Sequence, residues 1–194
     1  FVGPPESMSK SKKNTVDPEK IIKNYGADAV RLFILSDSPP EKDVQWSDTG
    51  VSSANKFLQK IWNLNYQISI RKEKNIKAEL NKKFELGINS LIVKIDSSID
   101  NFRFNVSIAH FYEMYTFFRN HLNTEISNEA LKNNILKMMK LMIPFVPHLA
   151  HECLELFKCE DFTNWPLIDK KNIIDEIFLA VQVNGKTKDV IKIK

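Results

Sequence analysis

The sequence predicts a mainly α-helical protein, in which an antiparallel helical bundle is followed by a C-terminal β-hairpin. Apolar residues recur every three to four positions through most of the chain, a period that extended strands do not have. Prolines stand between these periodic segments, where they would end helices. Near the C-terminus, Asn184-Gly185 separates two short segments of alternating apolar residues, Phe178 to Val183 and Val190 to Ile193, which is typical of a hairpin.

Two short helices are predicted ahead of the bundle. The first should begin at Asp17-Pro18, because aspartate is a good N-cap and proline suits the first helical position, and it should end at Gly26. The second should run from about Ala27 to Asp37. Pro39-Pro40 would end it, since proline lacks the amide donor and restricts the residue before it.

Four longer amphipathic helices follow. We expect the first to start near Asp48, the third to be capped by Asn105, and the fourth to open at Ser127 and end at Pro144 and Pro147. A last short helix should run over 148–157, carrying Leu149, Leu154 and Phe157. Each long helix has one apolar stripe to bury against the others, so a bundle is predicted. The stripes are Ala54, Phe57, Leu58, Ile61 and Ile68, with Trp62 beside them; Phe84, Ile88, Leu91, Ile95 and Ile99; Ile108, Phe111, Tyr112, Tyr115 and Phe118; and Leu131, Ile135, Met138, Met139 and Met142.

Length and composition are those of an ordinary globular protein. A chain of 194 residues, 43% hydrophobic and 27% charged, fits one domain with an appendage or two small domains. No apolar run reaches transmembrane length and no signal peptide is recognisable, so we expect a cytoplasmic protein without a membrane partner. Two cysteines do not make a disulfide framework. Because the chain begins Phe1-Val2-Gly3 and not with methionine, we interpret it as part of something longer.

The positive charge is concentrated in one stretch. The net charge is +4, and the stretch 71–83 holds six basic and two acidic residues, so six minus two accounts for the whole excess. Such a patch could attract a phosphate-bearing partner, or it could be a solvated connection between helices. No aromatic residue is interleaved with it, so base stacking is not indicated there. The eight residues are Arg71, Lys72, Glu73, Lys74, Lys77, Glu79, Lys82 and Lys83.

Four possible zinc ligands occur near the end of the bundle, but their spacing does not predict a metal site. His148 and His151 would share a helix face, whereas Cys153 would point elsewhere and Cys159 would lie near the helix end. Zinc needs four converging ligands. We therefore expect no metal, and interpret the cysteines as core residues. The methionines of the fourth helix are likewise predicted to fill the core.

The run Ser7-Met8-Ser9-Lys10-Ser11, followed by two more lysines, places an ammonium group between hydroxyls, which suits a polyanion such as a nucleotide phosphate. It resembles the K-M-S-K-S signature loop of class I aminoacyl-tRNA synthetases. The ordered stretches after it resemble leucyl-tRNA synthetases of the bacterial type, and the resemblance spans nearly the whole chain. Those stretches are Asn14 to Pro18, Tyr25 to Phe33, Ser38 to Asp48, Arg103 to Asn105, Pro144 to His148, Trp165-Pro166 and Ala180 to Lys186.

The resemblance implies three parts. Residues 1–47 would be the end of a catalytic core, with the signature loop and connecting helices. Residues 48–166 would be a helical tRNA-binding bundle of the anticodon-binding type, and residues 167–194 the start of a truncated C-terminal α/β domain. The family's adenine-site motif and editing domain are not in this sequence, so the isolated chain is expected not to charge tRNA.

The resemblance also implies an activity, in which leucyl-adenylate is formed from ATP and leucine and leucine is then transferred to its tRNA. Magnesium is expected with ATP in the full-length enzyme, the fragment itself should hold no cofactor, and the protein should be a monomer. Lys10 matches the second lysine of the signature loop and would stabilise the departing phosphates. Ser7 stands where the first lysine is usual, which puts that position's contribution in doubt.

Five residues are candidates for contacts with tRNA. The resemblance places Lys42, Lys56 and Lys60 near the inner side of the tRNA. Trp46 could stack on a base or anchor the packing of neighbouring elements. Arg103 precedes a predicted helix N-terminus, where amides favour anions, and could contact a phosphate or brace the turn.

Two alternatives remain open at this stage. The chain could be a stand-alone tRNA-binding module without catalysis, or it could belong to a valyl-, isoleucyl- or methionyl-type enzyme. The segments from Glu41 to Asp48 and from Gln182 to Gly185 resemble the leucyl type. Amino-acid specificity has no physical derivation here, since the family's amino-acid pocket lies outside this sequence.

Overall fold

The structure, a computed structural model, describes residues 6–73, 76–168, 177–183 and 186–193. Within these ranges the chain forms seven helices and then two strands. The helices are α1 (Pro18–Tyr25), α2 (Ala27–Asp37), α3 (Asp48–Ser69), α4 (Ala78–Asp100), α5 (Phe104–His121), α6 (Asn128–Met142) and α7 (Pro147–Leu156). None of these described helices is long and apolar enough to cross a membrane. The mainly helical fold is therefore confirmed.

Local capping chemistry sets several helix ends where the sequence predicts them. The Asp17 carboxylate accepts a hydrogen bond from the amide of Glu19 at the start of α1, and Gly26, with φ of +81°, ends that helix. Ser127 caps α6 by accepting from the amide of Ala130 at 3.1 Å. The predicted bounds of α2 are confirmed to the residue, and α7 begins and ends one residue earlier than predicted.

The predicted start of α5 is wrong. Asn105 lies inside the first turn, and Arg103 is the N-cap residue. The reason is the turn before it, where Phe102 has φ of +56° and the amide of Arg103 donates to the carbonyl of Ser98 at 2.8 Å. This pattern closes α4 and reverses the chain within three residues, so that α5 already begins at Phe104.

Helices α2 through α7 pack around one apolar core, and the predicted apolar stripes contribute to it. Met114 is also fully buried, although it was not among the predicted core residues. Tyr112 is an exception, because 42% of it is exposed while its ring stacks on Phe57 with centroids 3.7 Å apart. Ile99 and Tyr115 are only partly buried. The tight turn 101–103 joins α4 to α5, and these two helices pack side by side.

Helix α2 is fixed to the turn between α6 and α7 by two charged side chains. The buried carboxylate of Asp28 accepts from the amide of Leu149 at 2.7 Å and from that of His148 at 3.4 Å. Arg31 donates to the carbonyls of Pro144 at 2.6 Å and Phe145 at 3.1 Å. Since α7 has no side-chain cap of its own, Asp28 supplies one from a distant part of the chain.

The last described segment is an antiparallel pair of strands, β1 (Ile177–Val183) and β2 (Lys186–Ile193). Ile177 lies opposite Ile193, and Val183 lies opposite Lys186. A bulge between Val181 and Gln182 interrupts the register. The predicted turn at Asn184-Gly185 lies outside the described residues.

Candidate functional site

The signature-like loop is held by its own hydrogen bonds. The amide of Ser9 donates to the Asn14 side-chain oxygen at 2.8 Å, and the Asn14 amide group donates to the carbonyl of Ser7 at 3.3 Å. The Ser9 hydroxyl accepts from the amide of Lys12 at 3.3 Å and lies 3.2 Å from the Ser11 hydroxyl. Asn14 therefore fastens the two ends of the loop, a role that sequence reasoning missed.

The lysines of the loop differ in their partners. Lys12 pairs with Glu6 at 3.0 Å. Lys10 and Lys13 are exposed and form no ion pair with the described residues. The carbonyl of Lys10 accepts from the amide of Lys13 at 3.2 Å, which fixes its backbone while leaving its ammonium group available. An ammonium group on a fixed backbone is suited to a phosphate ligand.

A hollow of about 790 Å³ lies between this loop and the linker that precedes α3. The loop contributes Met8 and its neighbours, and the linker contributes residues 43–46. Sequence separation hides this proximity, because Val16 and Asp43, the nearest lining residues of the two segments along the chain, are 27 positions apart. The lining residues are Glu6, Ser7, Met8, Asn14, Val16, Asp43, Val44, Gln45 and Trp46.

Trp46 is a packing residue in this structure. Its ring meets that of Phe33 edge-on, with centroids 5.5 Å apart, and its Nε1 donates to the carboxylate of Asp48 at 2.9 Å. It is only partly exposed. Both contacts join α2 to the start of α3, so the geometry favours the anchoring role over a base-stacking platform.

The cationic candidates lie on separate elements. Lys56 and Lys60 are exposed and one turn apart, on the same face of α3. Lys42 lies in the linker, where its amide donates to the carbonyl of Pro39 at 3.0 Å. Arg103 is exposed at the α4–α5 turn, and its backbone closes that turn. The fold brings Lys56 and Lys60 together and leaves the other two on elements of their own.

Several side chains of the basic stretch 71–83 already have hydrogen-bond or ion-pair partners within the fold. Arg71 is part-buried and donates to the carbonyls of Leu122 and Thr124 at 2.9 and 2.8 Å, and also to the Asn128 side chain. Two of the lysines form ion pairs, Lys77 with Glu125 and Lys83 with Glu79. Arg71 therefore braces the bundle, and the stretch offers fewer available cations than its composition suggests.

The four histidines and cysteines near α7 face different surroundings. His148 Nδ1 lies 2.8 Å from the Asp28 carboxylate, whereas the His151 ring packs edge-on against Phe162. Cys153 is fully buried, and burial raises the pKa of its thiol to about 12. Cys159 donates to the carbonyl of Asp161 at 3.3 Å. Among the described residues, no three His, Cys, Asp or Glu side chains are grouped to hold a metal ion.

Comparison with known proteins identifies the class of this fold. Residues 81–194 match the family described as the anticodon-binding domain of tRNA ligase, and residues 5–47 match the class I tRNA synthetases (I, L, M and V). The first match covers more than half of the chain. The chain therefore belongs to the family of tRNA ligases that carry this anticodon-binding domain.

Similar proteins within that family include leucine–tRNA ligases. The enzyme of Anaplasma marginale is 36% identical over 199 residues and that of Wolbachia pipientis wMel is 36% identical over 197, covering 98% and 99% of this chain. That of Prochlorococcus marinus AS9601 is 37% identical over 194 residues and 97% of the chain. These alignments take in 24%, 23% and 22% of the relatives, so the chain spans about a quarter of their length.

A solved structure shares the fold. The crystal structure of the ternary complex of Agrobacterium radiobacter K84 agnB2 LeuRS with tRNA and LeuAMS superposes with a TM-score of 0.78 at 24% identity. The match covers 96% of this chain and 25% of that one. The helical arrangement is thus that of a known synthetase.

Proposed function

We propose that this chain is the part of a leucine–tRNA ligase that carries the signature loop and the tRNA-binding bundle. The observation that carries the proposal is similarity to leucine–tRNA ligases over nearly the whole chain, from the signature loop to the strands. Residues 1–47 would end the catalytic core, 48–166 would form the bundle, and 167–194 would open the C-terminal domain with the hairpin of β1 and β2. The whole protein would act as a cytoplasmic monomer.

In the whole enzyme, the leucine carboxylate attacks the α-phosphorus of ATP. The bond from that phosphorus to the bridging oxygen breaks, which gives leucyl-adenylate and pyrophosphate. A terminal ribose hydroxyl of the tRNA then attacks the leucyl carbonyl carbon, the bond from that carbon to the phosphate oxygen breaks, and AMP leaves. Negative charge grows on the departing phosphates, where the available ammonium of Lys10 would stabilise it more in the transition state than in the ground state. Magnesium would enter with the ATP phosphates and would offset their negative charge.

The bundle would hold tRNA chiefly through its backbone. The exposed cations Lys42, Lys56, Lys60 and Arg103 suit phosphate contacts, whereas the ring of Trp46 is already packed on Phe33. Phosphate contacts position an RNA without reading its bases. Binding should therefore weaken steeply as salt is raised, and a flat salt dependence of tRNA affinity would contradict this part of the proposal.

Lys10→Ala in the full-length enzyme tests the catalytic assignment. Leucine-dependent pyrophosphate exchange should slow by about 100-fold, the typical cost of losing one group that stabilises transition-state charge. Leucine binding should remain nearly unchanged, because the loop contacts phosphate. Lys23→Ala on α1, where Lys23 is exposed and unpaired among the described residues, is the matched control. Unaltered exchange in the Lys10 variant would show that Lys10 has no such role.

A further inference from the structure

Beyond its first residue, Asp48, helix α3 carries no carboxylate on its solvent face. The sequence contains no aspartate or glutamate from Thr49 to Lys72, although acidic residues make up 24 of the 194. The other long helices mix both signs of charge on their exposed faces, as with Glu79 and Lys83 of α4. Since α3 begins at Asp48, everything beyond its first residue is neutral or cationic.

Four carboxamide side chains follow one another along this face at four-residue spacing. Side chains four apart are neighbours on a helix surface, and this row extends over about 18 Å of helix. The first is half-buried and the other three are exposed, and none has a hydrogen-bond partner among the described residues. We call these residues the amide row: Asn55, Gln59, Asn63 and Gln67.

Cations and aromatic rings flank the amide row. Lys56 and Lys60 each follow a member of the row, and neither is in an ion pair with a described residue. Tyr66 is 48% exposed beside Gln67. On the side facing α7, Trp62 and Leu149 line an open groove of about 380 Å³, into which the row contributes two members, Gln59 and Asn63.

We propose that the amide row docks on the shallow minor groove of a base-paired RNA stem, hydrogen-bonding to its 2′-hydroxyls while Lys56 and Lys60 meet the flanking phosphates. This inference rests on the proposed function and specifies how its RNA is held. An A-form helix displays its 2′-hydroxyls in a wide, shallow minor groove, and its deep major groove is closed to side chains. A 2′-hydroxyl both donates and accepts, and so does a carboxamide.

Charge complementarity favours RNA over a protein partner on this face. A carboxylate would repel phosphate, and α3 presents none beyond its first residue. Protein–protein interfaces are depleted of lysine and centre on apolar side chains, whereas the exposed centre of this face consists of amides and ammonium groups. A protein surface covering the face is the competing occupant, and a comparison of RNA with DNA binding separates the two.

The first test compares two charge-matched double variants of the 194-residue chain for binding of leucine tRNA. Gln59→Glu/Asn63→Asp keeps side-chain size but removes donors and adds two negative charges on the amide row. Asn120→Asp/Asn133→Asp adds the same charge at exposed positions of α5 and α6. The first pair should bind at least about tenfold more weakly, the effect of one to two lost hydrogen bonds, and the control should stay within about twofold.

The second test uses sugar chemistry as its readout. The unaltered chain should bind an RNA hairpin more tightly than a DNA hairpin of the same stem sequence, and Gln59→Ala/Asn63→Ala should reduce that preference by about tenfold. Urea unfolding checks that the variants remain folded, which we expect because the substituted positions are exposed. If Gln59→Ala/Asn63→Ala kept the full preference for RNA over DNA, the 2′-hydroxyl assignment would be wrong. A protein partner would then be the remaining occupant proposed for this face.

The outcomes also separate this inference from the proposed function. If the unaltered chain binds tRNA and both acidic double variants bind equally well, the amide row is not the docking surface and the proposed function stands. If the unaltered chain does not bind tRNA at all, the tRNA-binding part of the proposed function fails and this inference fails with it.

Discussion

Asp28→Ala should destabilise the bundle by about 2 kcal/mol, although this residue lies outside the long helices. Its carboxylate caps α7 from across the fold, with a short bond to the amide of Leu149. Alanine would leave that amide without its partner and would remove the negative charge at the N-terminus of α7. The loss of stability would therefore be located at the junction between the connecting helices and the bundle.

The magnitude follows from the contacts. A lost N-cap acceptor costs about 1 kcal/mol, and a charge-assisted bond such as the 2.7 Å contact adds a further 1 kcal/mol or so. The 3.4 Å bond to the His148 amide contributes little, and the His148 ring is 77% exposed, so its pairing with Asp28 is weak. Asp28→Asn keeps an acceptor without the charge, and should cost about half as much.

Urea unfolding followed by circular dichroism would measure both values. Glu129→Ala is the matched control, because Glu129 is an exposed acid in the first turn of α6 and acts only through the helix dipole, worth about 0.5 kcal/mol. If Asp28→Ala cost no more than this control, the carboxylate would not be a cap. The reasoning about the α2–α7 junction would then be wrong.

Three further predictions concern packing, backbone conformation and pH. Gly50→Ala should cost about 2 kcal/mol in urea unfolding, because the added Cβ would lie 2.4 Å from a ring carbon of buried Phe33. Lys158→Gly should raise the unfolding free energy by about 1 kcal/mol, since Lys158 has φ of +53°, which glycine adopts without strain. Cys153, with its pKa raised to about 12 by burial, stays protonated in the native state while the unfolded thiol ionises near pH 9. Between pH 9 and about pH 12, the unfolding free energy should therefore fall by about 1.4 kcal/mol per pH unit relative to Cys153→Ala, and the two pH profiles should run parallel below pH 9.

Each of these predictions has a clear contrary result. A neutral or stabilising Gly50→Ala would mean that the Phe33 ring moves aside at no cost. A destabilising Lys158→Gly would mean that the lysine side chain has a stabilising contact. Parallel pH profiles for the unaltered chain and Cys153→Ala, continuing above pH 9, would show that Cys153 is open to solvent.

The ends of the early helices could be predicted because the relevant chemistry is local. Asp17, Pro18 and Gly26 act within one turn of their own positions, and Pro39 blocks continuation by itself. The apolar stripes were predictable for a similar reason, since helical spacing alone determines which residues share a face. Nothing from a distant segment was needed for either inference.

The roles that escaped prediction depend on distant partners. Composition places Arg71 in a basic patch, but its guanidinium donates to carbonyls more than fifty positions away. Asp28 caps a helix 120 positions further on. The Asn105 cap was a reasonable inference from residue type, yet Phe102 adopts the left-handed conformation that glycine usually takes, and that turn moves the start of α5.

The same difference between local and distant partners applies to the candidate site. Lys10 could be singled out because its loop is contiguous in sequence, whereas the hollow shared with residues 43–46 exists only in the folded chain. The amide row was visible as a four-residue repeat in a stretch without acids. Apolar periodicity does not indicate it, because polar repeats on an exposed face add nothing to the core.

Gly26 also divides the chain by local stability. Helix α1 has no buried residue, whereas α2 buries Ala29, Leu32 and Phe33 and is bonded to the α6–α7 turn through Arg31. Native-state amide exchange should therefore be fast in α1 and slow in α2, with the change at Gly26. The loop that carries Lys10 would then be joined to a helix that opens and recloses while the bundle stays folded. The motion of Lys10, which we propose to bind phosphate, would be independent of the bundle surface that we propose to hold RNA.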